Sequence, residues 1–330
     1  MWICLWIGSR KRILHVRKAV DNKASQNCNA LDTYMYLRAT IEMPIIKYIN
    51  ILNRKERFIV KKIAWLVAFI LGGYIFLQIN NEWLVTTNYT YETENLPESF
   101  DGFRIVQVSD LHDAQFGEQQ QRLIDKVEQQ KPDAIFLTGD LIDSNRYNLE
   151  RSLQAVRAFT DIAPVYYVLG NHEVATNLVD KIYVAFEEVG VKTLKNEAVT
   201  FERNGEYIQI AGIEDPLMNI PTDQMLKQAL INVEQDDFTL LLAHRPEMIE
   251  EYAKAAVDVV FSGHAHGGQI RIPFVGGLIA PGQGFFPQYT SGRYDEQQTT
   301  MYLSRGLGNS TVPYRVFNLP QIIVVDLQKK

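Results

Sequence analysis

Short apolar runs recur along most of the chain, each closed by a turn residue or by a polar segment of helical period. Arg104–Ser109 is such a run, rich in β-branched residues, and reads as a strand. Ala134–Thr138, Val165–Leu169, Glu206–Ile213, Thr239–Ala243 and Val257–Ser262 read the same way. Between them, Glu118–Gln130, Asn148–Phe159 and Leu178–Glu188 carry amphipathic helical patterns. Short apolar strands alternating with helices predict parallel pairing and a layered α/β sandwich. Residues 267–296, rich in Gly, Pro and Phe, predict a long loop.

A different pattern precedes this. The 19 residues 63–81, between Lys62 and Glu82, carry no charge, and 63–77 have no strongly polar side chain. As a helix they span roughly 28 Å, close to the hydrocarbon thickness of a bilayer. Lys47, Arg54, Lys55, Arg57, Lys61 and Lys62 stand before the span, opposed only by Glu56. That bias predicts a single-pass membrane protein with residues 1–62 inside and the body outside. A buried core helix and a cleaved signal peptide are the alternatives. Against cleavage, residues 77–83 offer no small-x-small site, and no Arg-Arg pair suggests a twin-arginine route.

The domains expected are therefore a basic head at 1–62, the span at 63–81, a linker at 82–99 and a catalytic body at 100–330. Residues 1–42 are aperiodic and rich in Asn, Lys and Arg, and Met43 offers an alternative start. The stretch 1–42 is expected to be disordered or an over-extended reading. A linker of about 14 residues up to Gly102 would confine the body to within about 50 Å of the membrane.

Charge sharpens the picture. Residues 1–62 hold 13 Lys+Arg against 4 Asp+Glu, and 63–330 hold 20 against 35. A basic head and an acidic body on either side of an apolar span form a topology signal. The acidic body lacks the basic tract a nuclease needs, and no nucleic-acid partner is expected. Cys4 and Cys28 are the only cysteines, which leaves the body without thiolate ligands or disulfides.

The candidate chemistry sits at the strand ends. Five apolar runs are followed by Asp110-Leu-His112, Gly139-Asp140-Leu-Ile-Asp143, Gly170-Asn171-His172-Glu173, His244, and Gly263-His264-Ala-His266. Five of the six histidines fall in these segments. Each piece alone is weak, because Asp-x-His recurs by chance, Gly-Asp is commonly a turn and a lone histidine is commonly structural. All five, each after a strand, form a pattern, since ligands in open α/β folds gather beyond the carboxyl ends of strands. Imidazole, carboxylate and amide oxygen suit Mn, Fe, Zn or Co.

The order and spacing of these segments resemble the calcineurin-like metallophosphoesterase superfamily over about residues 100–326. Gly263-His-Ala-His-Gly-Gly-Gln-Ile-Arg-Ile-Pro273 and Ser304-Arg-Gly-Leu-Gly308 look like its membrane-linked YkuE/YaeI-like phosphodiesterase branch. The resemblance implies a four-layer α/β/β/α sandwich and two divalent metal ions. It implies that Asp110, His112 and His266 hold one ion, that Asn171, His244 and His264 hold the other, and that Asp140 bridges them. Water activated between two such ions would attack phosphorus in line. It implies that His172 faces the leaving group as acid or donor, with Asp143 as its carboxylate partner, and leaves Glu173 a structural role.

One departure bears on substrate. Phosphoprotein phosphatases of the superfamily carry an arginine directly after the Asp143 position, where this chain has Ser144. The missing guanidinium clamp favours a diester over a dianionic monoester; Arg271 and Arg305 are candidates either to substitute for it or to serve as structural residues. The expected function is hydrolysis of a phosphodiester or of a small-molecule or lipid-linked phosphate or pyrophosphate at the cell envelope. A phosphomonoesterase and an inactive membrane scaffold of the same fold are the alternatives. No protein partner is inferable.

Overall fold

The structure is a computed structural model that describes residues 54–310 and 312–330. The expectations for residues 1–42 and for the two cysteines lie outside the described residues. The chain divides into two units, 1–73 and 74–330.

Helix α1 (Arg54–Glu82) begins in the first unit and ends in the second. Phe58, Ile63, Trp65, Leu66, Phe69 and Ile70 are all exposed along it, and residues 63–77 carry no strongly polar side chain. Its stretch Glu56–Glu82 is long and apolar enough to cross a membrane by length and composition.

The second unit holds strands β1 (Val85–Thr93), β2 (Arg104–Val108), β3 (Ala134–Thr138), β4 (Val165–Val168) and β5 (Lys192–Thr193). β6 (Glu197–Arg203), β7 (Glu206–Gly212), β8 (Thr239–Leu242) and β9 (Val259–Ser262) follow. Four short strands come next: β10 (Arg271–Ile272), β11 (Gly276–Gly277), β12 (Ile279–Ala280) and β13 (Gly284–Phe285). β14 (Gly292–Glu296), β15 (Thr299–Leu303) and β16 (Gln321–Lys329) complete the set. Two six-stranded sheets result, in the orders β1-β16-β2-β3-β4-β5 and β14-β15-β9-β8-β7-β6.

Side-chain alternation stacks the sheets. In β2, Ile105 faces the inter-sheet core while Val106 and Val108 face outward. In β9, Val259 and Phe261 face that same core while Val260 faces the other way. Helices α2 (Gln121–Glu128), α3 (Leu149–Ile162) and α5 (Val179–Glu188) cover the outer face of the first sheet through Leu123, Val127, Val156, Phe159 and Phe186. Between α3 and α5 lies the one-turn helix α4 (Asn171–Ala175). Helices α6 (Thr222–Ala229) and α7 (Ile249–Lys254) cover the second sheet through Met225, Leu226 and Tyr252. The body is thus an α/β/β/α sandwich with a continuous core between its sheets.

The expected parallel pairing is found in β2-β3-β4-β5 and in β7-β8-β9-β15. β1 and β16 also pair parallel, but β16 runs antiparallel to β2, and the edge strands β6 and β14 are antiparallel.

Two sequence readings are corrected. Residues 82–99 do not form a free linker, because β1 pairs with β16 along its full length, from Val85 with Gln321 to Thr93 with Lys329. The polar, half-exposed pattern of β1 is that of an edge strand, and it leaves no 14-residue tether. Residues 267–296 are not one loop but two antiparallel hairpins, β10–β11 and β12–β13, followed by β14.

Candidate metal centre

Each proposed ligand follows a strand whose apolar residues are locked in the core. Asp110 and His112 follow β2, Asp140 follows β3, Asn171 follows β4, His244 follows β8, and His264 and His266 follow β9. The first three strands lie in one sheet and the last two in the other, so the site closes a seam between the sheets.

The chain turns sharply at these ends. Asp110, His112, Asp140, His264 and His266 all have positive φ, between 47° and 69°. For residues with a Cβ this costs about 1–3 kcal/mol each and persists only where the surroundings impose it. The surroundings are hydrogen bonds. Asp110 N–H donates to Gly139 O and His112 N–H to Asp140 O, while Gly308 N–H donates to Asp110 O. Asn318 Nδ2 donates to His266 O. Gly139 (φ 86°) is required at its position, because a Cβ there would lie 2.6 Å from Gly170 N and 2.6 Å from His244 Nδ1.

The side chains gather into two groups that share one residue: Asp110, His112, Asp140 and His266, and Asp140, His244 and His264. All six are buried. Asp140 Oδ1 accepts the His172 N–H at 2.8 Å. Its Oδ2 lies 3.6 Å from His112 Nε2 and 3.3 Å from His244 Nε2, between the two groups. Asp110 Oδ1 accepts the His264 N–H at 2.8 Å and lies 3.5 Å from His266 Nε2. Asn171 Oδ1 is 3.3 Å from His244 Nε2. His244 Nδ1 is 2.7 Å from Thr138 O, to which it donates, so Nε2 is aimed at Asp140.

This donor set fits divalent cations. Nitrogen and oxygen atoms 3.1–3.6 Å apart suit neighbouring corners around an ion with bonds of about 2.0–2.2 Å. Asp110 Oδ2 is buried without any hydrogen-bond partner in the protein. Burial pushes the Asp110 carboxyl up to about 6 and drives His112 down to about 3. His264 and His266 are likewise lowered by burial. Burial opposes the charged form of His244 too, but Asp140 and Asp110 outweigh it and raise that imidazole to about 10.

His172 stands beside the first group, its ring 4.4 Å from that of His112 and edge-on to it. Its environment differs from the expected one. Asp143 Oδ1 is 3.7 Å from His172 Nδ1, beyond hydrogen-bond reach. Nδ1 instead accepts the Ser144 N–H at 3.2 Å, with Ser144 Oγ at 3.1 Å. Asp143 is taken up by Asn145 N–H and by the Arg146 guanidinium. With Nδ1 accepting, the ring proton sits on Nε2, which lies 3.3 Å from Ser310 Oγ.

Arg271 and Arg305 take the structural alternative. Arg271 donates to Gly267 O, Thr290 and Ser291, and Arg305 to Gln321, so both brace loops. The cation beside the second group is Arg245, whose Nη1 lies 3.1 Å from His264 Nε2. Asp215 holds it at 2.6 and 3.0 Å. Arg146 and Arg151 line a small cavity with His112 and Asn309, Arg151 donating to Asp113 O.

Sequence reading missed Asp113, Asp215, Arg245, Ser310 and Arg315. Asp113 accepts N–H groups from Asp143 and Asn148 and the Ser152 hydroxyl, fixing the turn after Asp140. Arg315, fully buried, donates to the carbonyls of Gly308 and Arg305, behind Asp110. The Asp immediately after Asp110-Leu-His112 was an available signal; the Asp215–Arg245 pair, 30 residues apart, had none. Glu173 is buried and accepts the N–H groups of Asp140, Gly170 and Ile142.

Comparison with known proteins identifies the family. A calcineurin-like phosphoesterase family model matches residues 103–268. The metallophosphoesterase YkuE of Bacillus subtilis is 31% identical over 264 residues, covering 78% of this chain and 90% of that protein. A metallophosphoesterase of Aquifex aeolicus is 30% identical over 275 residues, covering 80% and 98%. A zebrafish (Danio rerio) protein named as a transmembrane protein with a metallophosphoesterase domain is 29% identical over 249 residues, covering 72% and 55%. With a family model over half of its length and two bacterial relatives covered to 90% and 98%, this chain belongs to the calcineurin-like phosphoesterase family.

Proposed function

We propose that the protein is a membrane-anchored phosphoesterase using two divalent ions, acting on a phosphodiester or a lipid-linked phosphate or pyrophosphate. The observation that carries this is the position of Asp140 Oδ2 between His112 and His244, which belong to different groups of buried donors. In this reading Asp110, His112 and His266 hold one ion, Asn171, His244 and His264 the other, and Asp140 both. When bound, the ions would supply Lewis acidity to the phosphoryl oxygens and would lower the pKa of water, so that hydroxide becomes available as the nucleophile near neutral pH.

The protein's own residues position and protonate. Thr138 O and the Asp140 and Asp110 carboxylates fix the imidazoles before substrate arrives. His172 presents Nε2–H beside the first group, where it serves the leaving-group oxygen. Arg245, held by Asp215, places a fixed positive charge next to His264. The diester preference is supported by Ser144 at the position of the phosphatase arginine, and by Arg146 being bound to Asp143.

The anchor is α1. The Lys/Arg excess before residue 63 supports residues 1–62 inside and the body outside. Two experiments test the proposal. Purified protein is assayed on bis-p-nitrophenyl phosphate, p-nitrophenyl phosphate and envelope lipid phosphates with Mn, Zn, Fe or Mg. The diester or the lipid should be preferred; a preference for the monoester overturns that part. A reporter active only outside the cytoplasm, fused after Lys330, should be active, and an inactive one reverses the orientation.

A further inference from the structure

The two hairpins beside His266–Gly268, and the loop bonded to the first of them, carry exposed apolar side chains. Turn residues Phe274 and Val275 of hairpin β10–β11 are exposed, Phe274 fully. Phe285 and Phe286, at the end of hairpin β12–β13, are exposed as well, and so are Tyr314 and Phe317. The second hairpin reaches over the site. A Cβ at Gly282, in its turn, would lie 3.7 Å from His264 Nε2 and 2.9 Å from Glu247 Oε1. Beneath it a cavity of about 400 Å³ runs from His266 to Ile279, Ala280, Pro281 and Val312.

The end of α1 is fastened to the same rim. Phe76 packs edge-on against Phe317, with ring centroids 5.1 Å apart. Asn81 Oδ1 accepts from Asn309 Nδ2 at 2.6 Å and from Arg315 N–H at 3.2 Å, and Asn80 Oδ1 accepts the Asn318 N–H at 3.3 Å. The loop so held carries Ser310, which meets His172, and Asn318, which holds the His266 carbonyl. The end of the proposed membrane helix therefore braces the loop that bears Tyr314 and Phe317, and hairpin β10–β11 joins that loop through the Arg271 N–H, which donates to Val316 O.

We infer that this rim is a membrane-contact surface: Phe274, Val275, Phe285 and Phe286 sit in the bilayer interface. The hydrocarbon chain of a membrane lipid enters the cavity beside His266, and its headgroup phosphate reaches the metal centre. Phenylalanine and valine side chains exposed on these hairpins suit the headgroup–acyl boundary, where apolar side chains are stabilised next to polar headgroups. An exposed apolar patch is otherwise costly in a water-soluble body. Continuity with the end of an apolar helix selects lipid over a protein partner. The bilayer contact rests on the anchored reading of α1, and the position of the headgroup rests on the phosphoesterase reading.

The test uses the full chain with Cys4 and Cys28 replaced by serine, reconstituted into phosphatidylethanolamine/phosphatidylglycerol vesicles. Single cysteines at Phe274→Cys, Phe285→Cys, Phe69→Cys and Ile231→Cys carry an environment-sensitive fluorophore. Ile231 lies before β8, at the end of the strands opposite the site, and is the water-exposed control. Brominated lipid should quench the labels at 274, 285 and 69 several-fold more than that at 231. Labels at 274 and 285 that behave like 231 while 69 is quenched overturn the rim contact. A label at 69 that behaves like 231 overturns the anchor itself. Neither outcome depends on hydrolysis, so a failed activity screen remains a separate result.

Discussion

The Nε2 atoms of His112 and His266 stand 3.1 Å apart, although one ring follows β2 and the other follows β9 in the opposite sheet. Burial lowers both pKa values, and the Nδ1 atoms of both rings have no partner. Two neutral imidazoles aimed at each other stabilise nothing comparable to their desolvation, but they become complementary around a cation.

Removing one of them should empty half of the centre. His266→Ala should lose about one metal equivalent and more than about 100-fold in activity, since even residues that only support ligands cost 10–100-fold. Far-UV circular dichroism should be unchanged, because His266 lies beyond the strand it follows. Full metal content in this variant would remove His266 from the donor set.

His172 separates proton donation from charge stabilisation. His172→Ala should cost about 10²–10⁴-fold on an alkyl phosphodiester, whose leaving group needs a proton, and far less on a p-nitrophenyl ester. Asp143→Asn should show a smaller bias, since Asp143 sits 3.7 Å from the ring. Metal content should be unchanged in both. Equal losses on good and poor leaving groups would assign His172 to stabilising phosphoryl charge.

Metal loading should depend on pH through His244. Its pKa, carried to about 10 by Asp140 and Asp110 against burial, means that the metal-free protein holds a proton there at neutral pH. A ligand must be deprotonated, so loading ejects that proton and affinity rises with pH below about 10. Calorimetry in buffers of different ionisation enthalpy should show about one proton released per chain from this group at pH 7. No release, with affinity flat in pH, would contradict the arrangement.

Much of this was legible in the sequence because the buried strands are continuous apolar runs and the donors follow them directly. Val106, Val108, Leu137 and Val168 mark strands by composition, and Asp110, Asp140 and Asn171 lie just past their ends. β1 was not legible. Its sequence, Val-Thr-Thr-Asn-Tyr-Thr-Tyr-Glu-Thr, is polar because one edge faces solvent, and its partner β16 is more than 230 residues away. The hairpins in 267–296 were hidden because strands of two residues leave no periodicity. The expected Asp143–His172 bond is replaced by the Ser144 amide, a backbone donor that no side-chain motif reveals.

The central claim is that Asp140 joins two metal sites, and elemental analysis of purified full-length protein tests it most directly. Wild-type protein should carry about two equivalents of transition metal per chain. Asp140→Asn, folded by circular dichroism, should lose more than one equivalent and nearly all activity, because in the proposed arrangement this carboxylate would serve both ions. Active wild-type protein free of transition metal, or an Asp140→Asn variant that keeps both ions, would contradict the account.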